Sequence, residues 1–180
     1  SSGYFVDPQQ TMLEGSEQKL DLICKKMQLK SSDHILEIGT GWGGFALHAA
    51  KHYGCKVTTT TISPAQFEWA AERVREANLE DRIELLQLDY RRLEGRFDKI
   101  VSIEMIEAVG LKFLPLFFET CAGLLRPGGS MLLQAITIAE QRFEAAKRSV
   151  DFIQRYIFPG GALASVNELV GQSACERAGF

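Results

Sequence analysis

Several things are missing from this chain, and each absence removes a class of function. Its four cysteines, Cys24, Cys55, Cys121 and Cys175, are widely scattered and form no C-x-x-C pair. Reduced thiols in a cytoplasmic protein are the expected reading. Positive charge is not in excess: the formal net charge is -3, so nothing pulls the chain toward nucleic acid and no nucleic-acid partner is expected. No apolar run approaches the roughly 20 residues that a membrane-spanning helix needs. No basic-then-apolar leader argues for secretion. Internal repeats, low-complexity tracts and linker-like composition are also lacking. The chain opens without methionine and stops at "ERAGF", directly after a helical pattern with no closing strand. The expectation is therefore a fragment of a longer protein, with C-terminal strands missing.

What is present is ordinary for a soluble globular protein: 46% hydrophobic and 24% charged residues in 180. That length suits one domain with one large core, spanning 1–180. Strand and helix signals alternate along it. Leu20, Ile23, Cys24 and Met27 recur at helical spacing and predict a helix near 16–29. "HILEI" (34–38) is a short apolar strand ending in glycines, followed by a helix at about 43–53. "CKVTTTTI" (55–62) is rich in β-branched residues and reads as a second strand. Ser63 and Pro64 suit the N-cap and first turn of a helix whose inner stripe is Phe67, Ala70, Ala71 and Val74. "RIELLQL" (82–88) and "FDKIVSI" (97–103) are the third and fourth strands. A strongly apolar helix over 114–125 is stopped by "RPGG" (126–129), and "SMLLQAITI" (130–138) is the fifth strand. Phe143, Ala146, Val150, Ile153 and Ile157 continue a helical stripe broken by "FPGG" (158–161), and a last helix covers 165–178.

Such alternation predicts an α/β fold: a doubly wound, mostly parallel sheet with helices on both faces and right-handed crossovers. Ligands in such sheets collect outside the carboxyl ends of the strands, near the switch point. That singles out 37–44, 61–66, 89–90 and 103–110, the last beginning at Ile103.

In the stretch "LEIGTGWGG", Gly39, Gly41 and Gly44 satisfy G-x-G-x-x-G. Glycines between a strand and a helix let the backbone turn sharply and approach a ligand. A dinucleotide enzyme would also want an acid at the end of the second strand to hold a ribose. Here that position reads "TTTTIS", with no acid. The acid comes early instead, as Glu37, two residues before the first glycine. A carboxylate there suits a cofactor with positive charge and no phosphate, and S-adenosyl-L-methionine is such a molecule. Glu37 also has a plainer reading, as a cap or salt-bridge partner. Trp42, a large ring on a glycine loop, shields the cofactor or packs against the first helix.

Other residues divide similarly. Gln66 lies three after Ser63, so "SPAQ" fits a capping box as well as a cofactor contact. His48 and His52 are four apart on one helix, but no glutamate follows the first and no third ligand is evident, so no metal site is expected. Glu104 and Glu107 are three apart and suggest an acid–base pair, or Glu104 simply terminates the fourth strand. Phe113, Phe117 and Phe118 line an acyl tunnel or fill the core. Arg91 and Arg92 meet a head group or form a solvated pair.

Taken together, "LEIGTGWGG", "TTTTISPAQ", "VSIEMIEAVG", "MLLQAITI" and "FIQRYIFPGG" resemble the cyclopropane-fatty-acyl-phospholipid synthase family, which includes the mycolic acid cyclopropane synthases. The similarity runs from "GYFVDPQQT" (3–11) through "YIFPGG", nearly the whole chain. It implies a Rossmann-like class I methyltransferase. Such an enzyme moves a methyl group from S-adenosyl-L-methionine to the double bond of an unsaturated acyl chain in membrane phospholipid, and loss of a proton closes a cyclopropane ring. A cytoplasmic protein making peripheral membrane contact is implied, and nothing in the sequence specifies its oligomeric state. By the resemblance, Gly39, Thr40, Gly41, Trp42 and Gly43 form the cofactor loop. Thr61, Ile62 and Gln66 match the end of the second strand, Asp89 and Tyr90 the pair after the third, and Tyr4 with Ser2 the entry segment. The family's proton acceptor is a bound bicarbonate held by a glutamate, which matches Glu107, and Ile136 matches an isoleucine whose backbone lies near it. The chain departs from the pattern where a histidine after that glutamate is Ala108, where a bicarbonate-holding histidine is Gln134, and where a cysteine is Ser2. A further tyrosine of the pocket falls beyond Phe180. Three outcomes stay open on these residues: ring closure, methylation of another lipid or small molecule without cyclisation, and a lipid-binding relative without catalysis.

Overall fold

The computed structural model describes residues 2–150, 152–157 and 159–173. Among these residues the α-helices and strands follow one another as α1 (Met12–Lys26), β1 (His34–Ile38), α2 (Gly44–Tyr53), β2 (Lys56–Thr61), α3 (Pro64–Glu76), β3 (Ile83–Gln87), β4 (Phe97–Ile103), α4 (Leu114–Leu124), β5 (Leu125–Gln134), α5 (Glu140–Lys147) and α6 (Val166–Ser173). The sheet order is β3-β2-β1-β4-β5, and β1 pairs in parallel with both β2 and β4. Strand order therefore reverses beside β1, the topological switch point of a doubly wound sheet, as the alternating pattern predicted.

The chain sorts into two compact units. The first runs up to Val101 and includes Leu125–Leu132; the second comprises Ser102–Leu124 and the chain from Leu133 on.

In the first unit, Ile35, Leu36 and Ile38 of β1, Val57 of β2 and Ile100 of β4 are buried. The threonine run of β2 is buried too, which a run of hydroxyls tolerates only when each finds a partner. Thr58 donates to Glu84 (2.8 Å), Thr59 to Glu37 (2.6 Å) and Thr60 to the Leu88 carbonyl (2.5 Å). α1 begins earlier than the apolar spacing predicted. Thr11 and Glu14 form a reciprocal capping box, worth about 1 kcal/mol, which sets the start at Met12.

In the second unit, Leu114, Phe117, Phe118 and Cys121 are buried along α4, which packs against α6. Phe117 and Phe118 meet edge to face at 5.5 Å. These two are core, whereas Phe113 is partly exposed beneath the Lys112 ammonium.

Boundaries in the second half of the chain also differ from the sequence pattern. β5 covers Leu125–Gln134 rather than 130–138, so "RPGG" lies within the strand instead of separating it from α4. Gly129 makes this close approach feasible, since a Cβ there would stand 2.9 Å from the Asp98 carbonyl oxygen. The strand ends at Gln134 because the next amides leave the ladder: Ile136 N–H goes to Glu107, and Ile138 N–H to the Ala164 carbonyl. The stripe from Phe143 onward is interrupted after Lys147 and resumes as a π-helical turn at Ile153–Ile157. Phe158 of "FPGG", Cys175 and positions 174–178 of the expected last helix lie outside the described residues.

Candidate functional site

The tip of β1 in the first unit is built from its glycines outward. Gly39, Gly41 and Gly43 have φ of 100°, 52° and 80°, the left-handed region that suits glycine. Gly44, the third glycine of the written motif, does not share it. The backbone thus selects the spacing 39-41-43 carried by the family resemblance. The amides of Gly39 and Thr40 both donate to the Thr60 carbonyl (3.1 and 3.0 Å), tying the loop to β2. A Cβ on Gly41 would meet nothing within 4 Å, so its backbone borders open space; one on Gly43 would lie 3.2 Å from Ala70 Cβ.

Beneath this loop lies the acid. Glu37 is 2% exposed, and its Oε2 accepts the Thr59 hydroxyl at 2.6 Å. Thr59 Oγ1 also shares a 2.8 Å hydrogen bond with Thr40 Oγ1. Its one proton is spent on Glu37, so Thr40 is the donor. A chain of bonds therefore runs from loop to acid, Thr40 to Thr59 to Glu37. Burial pushes the Glu37 carboxyl up to about 8, against the opposing pull of the Thr59 hydroxyl. A buried carboxyl so disposed is stabilised in its charged form by a cation.

The remaining first-unit candidates surround the strand tips. Thr61 Oγ1 donates to Gln66 Oε1 (2.7 Å), so the Gln66 side chain points back to β2. Ser63 caps α3 through the Gln66 amide. The reciprocal half of a capping box is not made: Ser63 N–H donates to Thr61 Oγ1 (3.1 Å), and the Gln66 side chain is engaged with Thr61 instead. Ile62 is 75% exposed. Asp89 caps the turn Tyr90–Arg92 and grips the Arg91 guanidinium with both oxygens (2.9 and 2.7 Å), which holds its carboxyl below the usual range. Trp42 is 57% exposed and meets Trp69 of α3 edge to face at 6.3 Å; Arg73 donates to its carbonyl (2.8 Å). Tyr4 is half exposed, with its amide bonded to the Gly15 carbonyl. Ser2 is exposed. His48 and His52 stack at 4.6 Å, with burial lowering the pKa of His48. Among the described residues no group of three or more metal-ligating side chains could hold an ion.

The second unit holds a different cluster. β4 ends at Ile103, and Glu104 follows with φ 48°, an uncommon conformation for a residue with a side chain. Glu104 N–H donates to the Gln134 carbonyl (2.8 Å), and Gln134 Nε2 donates back to Glu104 Oε1 (2.5 Å). One turn on, Glu107 Oε1 accepts the Ile136 amide (2.5 Å), and the Glu107 carbonyl accepts from Ala162 N–H (2.8 Å). Glu107 Oε2 is buried and has no hydrogen-bond partner among the described residues. The three catalytic candidates, Glu107, Gln134 and Ile136, thus come together, with Ile136 offering its backbone rather than its exposed side chain. Ala108 is exposed. The Phe152 and Tyr156 rings lie 5.1 Å apart, tilted against each other, and both are exposed.

Sequence reasoning missed Thr59 and the clasp made by Glu104. Thr59 faces Glu37 because the two are register partners across β1 and β2. That signal appears only after the strands are paired. For Glu104, the i,i+3 spacing to Glu107 was visible, but its tie to a residue thirty positions on was not.

The sequence profile of the family described as mycolic acid cyclopropane synthetase matches residues 1–180. A probable fatty acid methyltransferase from Pseudomonas putida is 37% identical over 179 residues, covering 98% of this chain and 45% of its own length. The cyclopropane-fatty-acyl-phospholipid synthase of Escherichia coli K12 is 39% identical over 163 residues, covering 89% of this chain and 40% of its own. The chain thus spans less than half the length of these curated relatives. Among solved structures, mycolic acid cyclopropane synthase CmaA1, complexed with SAH and CTAB, superposes with a TM-score of 0.86 at 28% identity, covering 96% of this chain and 64% of that one.

Proposed function

The chain belongs to the mycolic acid cyclopropane synthetase family of S-adenosylmethionine-dependent methyltransferases, and from that premise we propose that it transfers a methyl group to the double bond of an unsaturated phospholipid acyl chain, with ring closure. The observation that carries the cofactor half is the bond chain from Thr40 through Thr59 to buried Glu37, under a loop whose Gly41 borders open space. These residues fit a cationic cofactor: the glycines admit close backbone approach, and the buried acid has no counter-charge among the described residues. When bound, S-adenosyl-L-methionine supplies an electrophilic methyl group. Gly39, Thr40, Gly41, Trp42 and Gly43 would hold it, with Thr61, Ile62 and Gln66 at the β2 tip and Asp89 and Tyr90 after β3. Tyr4 and Ile103 complete the proposed set.

An alkene is a weak nucleophile, so the protein's task is alignment and charge stabilisation. The alkene carbon beside the one that accepts the methyl becomes cationic as the methyl arrives, and the carboxylates near Gln134 and Ile136 suit that charge. We place the activity in one methyltransferase domain, because a single family profile covers residues 1–180. No helix among the described residues is long and apolar enough to cross a membrane. The acceptor lies in membrane lipid, so we propose peripheral contact from the cytoplasmic side.

A second reading is methylation without cyclisation, favoured by Ala108 and Gln134 standing where the family pattern has histidines. One experiment separates the two. The full-length protein is incubated with labelled cofactor and monounsaturated phospholipid, and the lipid is analysed by mass spectrometry. A product with one added methylene and no remaining alkene supports ring closure. A methylated product that keeps an alkene supports the second reading, and unchanged lipid rejects both.

A further inference from the structure

The family resemblance calls for a bound bicarbonate as proton acceptor, and the second unit does not fit one. An anion needs hydrogen-bond donors, and among the described residues the two that this cluster presents are already committed. The Ile136 amide is given to Glu107 Oε1, and the Gln134 amide nitrogen to Glu104 Oε1. Ala108 has no polar side-chain atom to offer. Glu104 and Glu107 both attach to the stretch 134–136, so a bicarbonate would enter as like charge beside two carboxylates. What the cluster offers instead is an acceptor: Glu107 Oε2, buried and without a partner, on a carboxylate whose other oxygen is anchored.

We propose that Glu107 Oε2 is itself the proton acceptor in this chain, with no bicarbonate between it and the acyl chain. Glu104 is the positioning residue that makes this so, by holding the Gln134 amide away. The inference rests on the methyltransferase reading above. The steps balance without a co-reactant. The alkene π pair forms the new C–C bond while the donor's C–S pair stays on sulfur, which leaves the neighbouring chain carbon cationic. A C–H pair then closes the ring, or forms a new alkene, and the proton passes to Glu107 Oε2 and later to water. The left-handed φ of Glu104 is consistent with this role, since such conformations persist where the surroundings over-determine them, often at functional sites.

The test uses the full-length protein in buffer stripped of carbon dioxide, with and without added bicarbonate. Two readouts are product formation and binding of carbon-13 bicarbonate by NMR. The expected wild-type result is a rate unchanged within twofold and no bicarbonate binding. Glu104→Gly suits the left-handed backbone and frees the Gln134 amide, so its rate should become bicarbonate-responsive. Glu104→Gln keeps an oxygen for that amide and should restore indifference to bicarbonate. A tenfold or larger fall in wild-type product on stripping, reversed by bicarbonate, would overturn the inference and leave the methyltransferase reading intact. So would bicarbonate binding that disappears in Glu107→Gln. An indifferent Glu104→Gly would remove the role given to Glu104. Absence of product in every buffer would overturn the function and the inference together.

Discussion

Along β2 the buried threonines from Thr58 to Thr60 all have hydrogen-bond partners, whereas after β4 a buried carboxylate oxygen has none among the described residues. The first arrangement is a closed network in a low-dielectric setting, and such networks rigidify what they join. Its tension is electrostatic only: an acid held under the loop with its pKa raised. The second arrangement keeps a bond unmade and a side-chain-bearing residue, Glu104, in a left-handed conformation. An unsatisfied buried polar group costs roughly 1–3 kcal/mol. The contrast is that of a prebuilt binding loop and a cluster left reactive.

The largest effect expected from breaking the contrast is at Glu107. Glu107→Gln keeps the shape but removes the base, and should lower turnover by about 100-fold or more. Thermal stabilisation by S-adenosylhomocysteine, measured by differential scanning fluorimetry, should survive. Retained turnover would remove the role assigned to Glu107.

Next come the loop glycines. Gly43→Ala adds a Cβ to a residue with φ 80°, at 3.2 Å from Ala70, and should cost on the order of 1–3 kcal/mol. That corresponds to a Tm lower by roughly 2–4 °C for each kcal/mol. Gly41→Ala has no neighbour within 4 Å and carries only the conformational cost, about 1–2 kcal/mol. Its cofactor affinity, by calorimetry, should nevertheless fall more than its Tm suggests, because that Cβ enters the open side.

A third effect is pH dependence. The folded-state pKa of Glu37, about 8, lies above its ordinary value of 4.5. Between those values the unfolded chain is ionised there while the folded protein keeps its proton. The folded state therefore binds more protons, and stability falls as pH rises through this window. Melting curves of the cofactor-free protein from pH 5 to 9 should show that decline, and Glu37→Gln should flatten it. A wild-type slope matching that of Glu37→Gln would show the acid is ionised when buried.

The smallest effect is at Asp89. Asp89→Asn loosens an exposed grip on Arg91 and should shift stability by at most about 1 kcal/mol. A cofactor affinity reduced well beyond that would assign Asp89 to binding rather than to turn geometry.

Much of this was legible in the chain itself. β1 and β4 carry the predicted boundaries, β2 and β3 lie within a residue of theirs, and α3 starts at Pro64 as expected, because short apolar or β-branched runs punctuated by Ser-Pro and glycine are local signals. α1 was placed four residues late because its start depends on the polar Thr11–Glu14 box rather than on apolar spacing. β5 was misplaced at both ends, since its extent depends on which distant groups take its amides.

By itself, the sequence determined the order of elements, the glycine turn at the end of β1, and the acid beside it. These follow from backbone freedom, side-chain branching and hydrophobic period, all of which act over a few residues. Only the tertiary structure decided that Thr59 meets Glu37, that Gln134 is claimed by Glu104, and that Glu107 keeps one oxygen bare. Strand register and loop closure bring together groups twenty to thirty residues apart, and a hydrogen bond once given to one partner is withheld from another.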